Sequence, residues 1–199
     1  MATSHQEVIE FLNGIGVRHR VSDDGKIRFM YGMKSYKNER GDDGLLFVIY
    51  LSENGEYFQV YCPNAWKVAP GHADAVQRAC TMIQWRTKLI QFEYDDTDGE
   101  LRVIVEFPLE DAKLTEKQLH RCISGLLQLV DEYHETIQKA IDTGNVAMPR
   151  PQASAPGTAD AAIRMAILAL EGEGRPPNDP QILALRALLS GGAAGPATL

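Results

Sequence analysis

The sequence predicts an α+β fold: an antiparallel β-sheet packed against helices, in the order α-β-β-β-α-β-β-α, plus a C-terminal helical extension. Three observations carry this expectation. Between Trp85 and Phe107, Ile90, Phe92 and Tyr94 alternate with Leu89, Gln91 and Glu93, and Leu101, Val103, Val105 and Phe107 alternate with Arg102, Ile104 and Glu106. The two runs flank an acidic turn, Asp95 to Glu100, that contains Asp98-Gly99. Period-two alternation around Asp-Gly is a strong hairpin signal. The second observation is a continuously apolar run, Leu45 to Leu51, as expected of a central strand. The third is a pair of helical patterns flanking the hairpin, over 73–86 and 116–142, able to cover its apolar face.

Taken in order, Ser4 and Glu7 form a capping box, and Val8, Phe11, Leu12 and Ile15 follow at helical spacing. Gly14 and Gly16 stop this first helix, expected over 5–15. Val17 to Val21 is a short extended piece, and Asp23-Asp24-Gly25 a turn. Ile27, Phe29 and Tyr31 alternate with Arg28 and Met30 to give a strand. Lys34 to Gly44 is polar and charged and reads as a loop. After the apolar run, Asn54-Gly55 signals a type I′ turn. Tyr57, Phe58, Val60 and Tyr61 then form a return strand that Pro63 should stop.

Pro70 and Gly71 open a helix with Ala73, Val76, Ala79, Cys80 and Ile83 on one face. The hairpin follows and Pro108 ends it. Thr115 and Gln118 form a second capping box. Leu119, Cys122, Ile123, Leu126, Leu127, Val130, Tyr133, Ile137 and Ile141 then recur at three- and four-residue steps, for roughly seven turns. Composition changes after Gly144. The expected organisation is a domain over 1–145, a Pro-rich linker over 146–157, a short helical extension over 158–190 and a disordered tail over 191–199. The extension carries Ile163, Ile167 and Leu170 on one helix, and Ile182, Leu185 and Leu189 on another. Helices this short are unstable alone and must dock on something.

The chain has 199 residues and a net charge of −7. That balance argues against a nucleic-acid surface, which needs clustered Lys and Arg. No stretch has the roughly 18 uninterrupted apolar residues of a membrane helix. The opening residues carry no basic region before an apolar run, so no secretory signal is expected there. Cys62, Cys80 and Cys122 are far apart and sit within apolar patterns, as buried reduced thiols of a cytoplasmic protein would.

Polar chemistry is sparse. If Gly99 is set as the glycine of a calcium loop, Tyr94 and Val105 fall where the first and last ligands belong, so the acidic turn reads as a solvated hairpin. His120 and His134 stand too far apart on one helix to share a metal, and Tyr133-His134-Glu135 reads as that helix's polar edge. There is no Cys-x-x-Cys pair, no Gly-rich phosphate loop and no Gly-x-Ser-x-Gly elbow. No catalytic residue, metal or cofactor is expected. Met82 and Trp85 lie off the apolar stripe of their helix, either as core residues or as an interface.

The run Ala79-Cys80-Thr81-Met82-Ile83-Gln84, then Lys88-Leu89-Ile90-Gln91-Phe92-Glu93-Tyr94 and Asp98-Gly99-Glu100-Leu101, resembles a particular helix-to-strand junction and acidic hairpin. Phe107-Pro108-Leu109, Leu114-Thr115-Glu116-Lys117-Gln118-Leu119 and Leu129-Val130-Asp131 extend the likeness. Over residues 4–142 the chain resembles the YbjN-type bacterial sensory transduction regulators and the class I type III secretion chaperones. These motifs are structural and speak to fold more than to activity. The resemblance implies a non-enzymatic, homodimeric, cytoplasmic protein that binds a segment of another protein. It places a dimer or partner interface at Val76, Ala79, Met82, Ile83, Trp85 and Ile90. It places a groove for an extended partner segment at Phe11, Ile15, Phe29, Tyr31 and Phe47. The expected function is therefore a chaperone-like adaptor or regulatory subunit. The alternative is a small-molecule or peptide sensor with a pocket between the sheet and the long helix.

Overall fold

A computed structural model describes residues 2–148, 176 and 179–190, with the backbone alone for 187–190. The chain divides into two units, 1–12 with 17–149 and 13–16 with 150–199.

In the first unit, a six-stranded sheet has the order β1-β2-β3-β4-β6-β5, with every neighbouring pair antiparallel. Its strands are β1 (Arg20–Val21), β2 (Ile27–Gly32), β3 (Gly44–Ser52), β4 (Tyr57–Lys67), β5 (Gln91–Tyr94) and β6 (Glu100–Pro108). The helices are α1 (His5–Gly14), α2 (Ala73–Gln84) and α3 (Glu116–Thr143). The expected element order is observed, and the short extended piece before β2 is a two-residue edge strand.

Ladder register sorts the side chains onto two faces. Ile27, Phe29, Leu45, Phe47, Ile49, Phe58, Val60, Val103 and Val105 share one face and are all buried. On that face α3 packs on β4 and β6, and α2 packs on α3 and β5. Burying each of these side chains contributes roughly 1.5–3 kcal/mol. The ion pairs Lys26–Asp24, Arg28–Asp24, Lys67–Asp98, Arg102–Glu93 and Lys113–Glu7 are each at least 30% exposed on both sides and worth at most about 1 kcal/mol. Packing therefore holds this unit together.

Both capping boxes form. Ser4 Oγ accepts from the Glu7 amide at 3.2 Å while Glu7 Oε2 accepts from the Ser4 amide at 2.8 Å. Thr115 and Gln118 exchange the same pair of bonds. Gly144 closes α3 in the left-handed region, and His72 Nδ1 lies 2.6 Å from the carbonyl of Ile141 in its last turn. The buried stripe of α3 includes Leu129 in place of the expected Leu127, which is only half-buried.

Three expectations are corrected. The β3–β4 turn is not a two-residue Asn54-Gly55 turn. Ser52 pairs with Tyr57, leaving four residues between them, and Glu53, Asn54 and Gly55 all take positive φ. The reason lies at the chain start: the Thr3 amide donates to the Gly55 carbonyl at 3.1 Å, and a Cβ on Gly55 would stand 2.1 Å from the Thr3 carbonyl oxygen. Pro63 does not stop β4. The strand continues to Lys67 through a register shift between Cys62 and Trp66, with Asn64 at φ 47°. A proline has no amide to give to a ladder, and a bulge asks for none. Finally, the polar segment 34–43 is not simply a solvent loop. Tyr36 within it is 1% exposed, and Met33 just before it is 6% exposed.

The second unit contains α4 (Pro180–Ser190) among its described residues, where a short helix over 181–189 was expected. The Asp179 carboxylate accepts from the Gln181 amide at 2.8 Å at its start.

Candidate functional site

The residues expected at an interface divide sharply. Val76, Ala79 and Ile83 are fully buried in the first unit, and Ile90 is 8% exposed, so these four hold α2 and the approach to β5 in place. Met82 is half-buried. Trp85, just beyond α2, is 90% exposed, and Leu89 is 61% exposed. Leu89 also sits at φ 68°. A bulky residue rarely adopts that conformation, which costs of the order of 1–3 kcal/mol and tends to mark functional segments.

Beside this corner a cleft of 410 Å³ is lined by Lys88, Leu89, Ile90, Val105, Arg121, Cys122 and Gly125. Its floor is Ile90, Val105 and Cys122, each under 10% exposed, and burial pushes the Cys122 thiol up to about 11. Lys88 and Arg121 are exposed and make no ion pair among the described residues. Gly125 lies inside α3, where glycine costs about 1 kcal/mol relative to alanine. Neither φ nor crowding demands it, since a Cβ there would meet Ile90 Cδ1 at an ordinary 3.6 Å. Its effect is to leave the cleft open.

Of the expected groove residues, Phe29, Tyr31 and Phe47 form an aromatic cluster on the sheet's covered face. Phe29 and Phe47 are buried and stacked with centroids 5.1 Å apart, and Tyr31 meets Phe47 edge-on at 6.3 Å. Tyr31, Phe11 and Ile15 are half-buried. Phe29 and Phe47 are therefore core residues, and Tyr31 and Phe11 are the accessible members of that set in the first unit. Of the extension's docking residues, Ile182 is buried and Leu185 half-buried. Ile163, Ile167, Leu170 and the Leu189 side chain lie outside the described residues, as do the linker from 149 onward, the helix after Thr158 and the tail.

The sequence reading missed a second cluster altogether. His134 is not on a polar edge: it is 7% exposed and packed between Tyr36 and Trp66, with ring centroids 5.2 and 6.2 Å away. The indole Nε1 of Trp66 donates to His134 Nδ1 at 3.1 Å, and the Tyr36 hydroxyl donates to the Ala65 carbonyl at 2.8 Å. The Lys37 amide lies 3.4 Å from His134 Nε2. A neutral imidazole accepts at one ring nitrogen only, and the shorter contact, from the Trp66 indole, gives that role to Nδ1 and leaves the proton on Nε2. Burial moves the imidazole below its ordinary value, against the opposing pull of Glu135, Asp131 and Asp142. Burial likewise pushes the Tyr36 hydroxyl up to about 12. One turn before His134, the Asp131 carboxylate accepts from the amides of Lys34, Ser35 and Tyr36 at 2.8–3.3 Å, clasping the 34–43 segment to α3. A cleft of 420 Å³ opens beside this cluster, lined by Lys37, Asn38, Glu39, Ala65, Trp66, Lys67, His134 and Gln138.

The acidic turn is tied up in structural bonds, its own and those to β4. Asp95 accepts from the Thr97 amide and hydroxyl, which together hold its carboxyl below the ordinary range, and Asp98 accepts from the Glu100 amide and pairs with Lys67. Among the described residues no group of three His, Cys, Asp or Glu could hold a metal ion, and no helix is long and apolar enough to cross a membrane.

No family model and no curated protein matches the chain. Among solved structures, YbjN from E. coli, a candidate transcription regulator, superposes with a TM-score of 0.51 at 11% identity, covering 68% of this chain and 94% of that one. The heterodimeric ExoU–SpcU complex of the Pseudomonas aeruginosa type III secretion system gives a TM-score of 0.42 at 14% identity, covering 67% of this chain and 96% of that one. At this identity the likeness to YbjN is one of architecture.

Proposed function

We propose that this chain, which shares the fold of YbjN, is a non-enzymatic protein-binding module, a chaperone-like adaptor or regulatory subunit that grips a segment of a partner protein. The observation that carries the reading is the Trp85–Leu89 corner. A tryptophan 90% in water, followed by a leucine held in a costly backbone conformation with its side chain outward, leaves apolar area unburied. Isolated exposed leucines are ordinary, but Trp is the residue most enriched at the energetic centre of interfaces. Enzymatic chemistry finds no support in the charged groups. The most perturbed ones, half-buried Glu7 and exposed Asp24, are surface acids held down chiefly by their bonds to Lys113 and Ser22.

A photo-crosslinking amino acid placed at position 85 of the full chain, expressed in its own cell, tests the reading. The same probe at Arg40 on the polar loop is the control. Discrete heavier adducts from position 85, absent from position 40, are expected. Identical patterns, or no adduct at 85, would overturn it. The homodimer implied by the resemblance is part of the proposal and would double the sedimentation mass of the purified chain. So is a cytoplasmic location.

The second reading, a small-molecule or peptide sensor, draws support from the 420 Å³ cleft between β4 and α3, where Trp66, His134 and Gln138 supply ring surface and polar groups. A ligand bound only to the folded state would raise the melting point in a thermal-shift screen.

A further inference from the structure

We infer that the cleft between α3 and the approach to β5 recognises a polypeptide segment in which bulky apolar residues stand beside acidic ones. This rests on the protein-binding reading above and states what the bound segment must look like. Four observations converge. The cleft floor, Ile90, Val105 and Cys122, is apolar and offers no charge to a ligand. Its rim carries Lys88 and Arg121, two exposed cations without ion-pair partners among the described residues, on a chain whose net charge is −7. Gly125 keeps the space open although an alanine Cβ would fit there. Leu89, on the rim, and Trp85, four residues earlier, add apolar area outside the cleft itself.

An apolar side chain entering the cleft would lose water against the floor, while a neighbouring carboxylate would meet Lys88 or Arg121 at the edge. A basic segment would be drawn by the overall charge and then repelled at this rim. Charge complementarity of this kind sets specificity more than raw affinity. Leu89 on the rim and an exposed indole four residues earlier place two apolar side chains on one segment outside the floor, which a polypeptide can engage at more than one point and a single acyl chain cannot.

Fluorescein-labelled peptides and the full chain provide the test, read by anisotropy. The probe is an octapeptide of alternating Glu and Leu or Phe. One control replaces every Glu with Lys, and another replaces every Leu and Phe with Ser. The acidic apolar probe should bind, both controls should bind about tenfold more weakly or not at all, and added salt should weaken the probe. Charge reversal at the rim, Lys88→Glu with Arg121→Glu, should cost about tenfold in affinity and invert the preference toward the Lys peptide. Gly125→Leu should block binding at unchanged rim charge. Circular dichroism confirms that each variant is folded, and the rim pair, being exposed, keeps the test valid if Gly125→Leu is not. Binding that ignores the rim reversal, equal binding of the Lys peptide, or no binding of the probe overturns the inference. So does palmitate binding with the same dependence on Lys88 and Arg121 while the peptides fail. Crosslinks from position 85 that survive the rim reversal would overturn this inference alone. Loss of position-specific crosslinking in the unaltered chain would remove the protein-binding reading itself.

Discussion

Replacing His134 with phenylalanine keeps a ring of similar size between Tyr36 and Trp66 and deletes one thing, the acceptor for the Trp66 indole. That N–H sits in a residue 3% exposed, so water is a poor substitute for the lost partner. An unsatisfied buried donor costs about 1–3 kcal/mol, which in a chain of this size lowers Tm by roughly 2–12 °C. Trp66→Phe removes the donor and leaves the imidazole nitrogen unpaired. In the double variant neither group is orphaned, so its loss should fall short of the two single losses combined by about 1–2 kcal/mol. A second signature is pH. The folded-state imidazole titrates below its ordinary value because burial opposes its charge. The unfolded chain therefore binds more protons than the folded one between the depressed value and about 6.5. Stability from this group is complete above that window and falls as the solution is acidified through it. The surface carboxyls of Glu7 and Asp24 are lowered too, but their contributions are lost only below about 4.5, so the two effects separate. Urea denaturation at half-unit steps from pH 5 to 8 measures all of this. His134→Phe should be less stable at pH 7.5 and flatter between pH 5 and 7. Stability equal to wild type, no coupling with Trp66→Phe, or an unchanged acid slope would refute the account.

Two further outcomes follow from the same structure. Asp131→Ala removes the acceptor shared by three amides and should cost about 1.5–3 kcal/mol. Hydrogen exchange should then accelerate at Lys34, Ser35 and Tyr36 more than within β3. Gly55→Ala forces a Cβ against the Thr3 carbonyl at a φ of 92° and should destabilise by about 1–3 kcal/mol, or release the first residues from the β3–β4 loop. Faster exchange at the Thr3 amide would report the release, and an unchanged urea midpoint with an unchanged Thr3 amide would contradict it.

What could be read from the sequence was whatever depends on neighbours along the chain. Ser4 with Glu7, Thr115 with Gln118, and the alternation on either side of Asp98-Gly99 each encode structure within a few residues, and each forms as read. The failures involve distant partners. Lys34 to Tyr36 read as solvated because their acceptor, Asp131, lies nearly a hundred residues away. His134 read as a polar edge because the indole that needs it belongs to β4. Pro63 read as a stop because nothing local distinguishes a strand end from a bulge. For Trp85, hydrophobicity alone does not separate core from surface, since it does not say which way a side chain at a helix terminus will face. Two expected interface residues, Val76 and Ile83, turned out to be what fixes α2 to the rest of the unit.

The pairing of β4 with β6 rather than with β5 has a consequence for how the chain comes off the ribosome. β1 to β4 can zip together as successive hairpins while synthesis proceeds, because each pairs with the strand just made. The outer margin of β4 must wait until α2 and β5 have emerged, when Tyr57 meets Pro108 and Lys67 meets Glu100. During that interval a greasy ribbon bearing Phe58, Val60 and Cys62 is open to any neighbouring nascent chain. The kink at Pro63 and Asn64 breaks that ribbon in two, so the misfit that a smooth sheet would avoid also shortens the template on which two unfinished molecules could stick together.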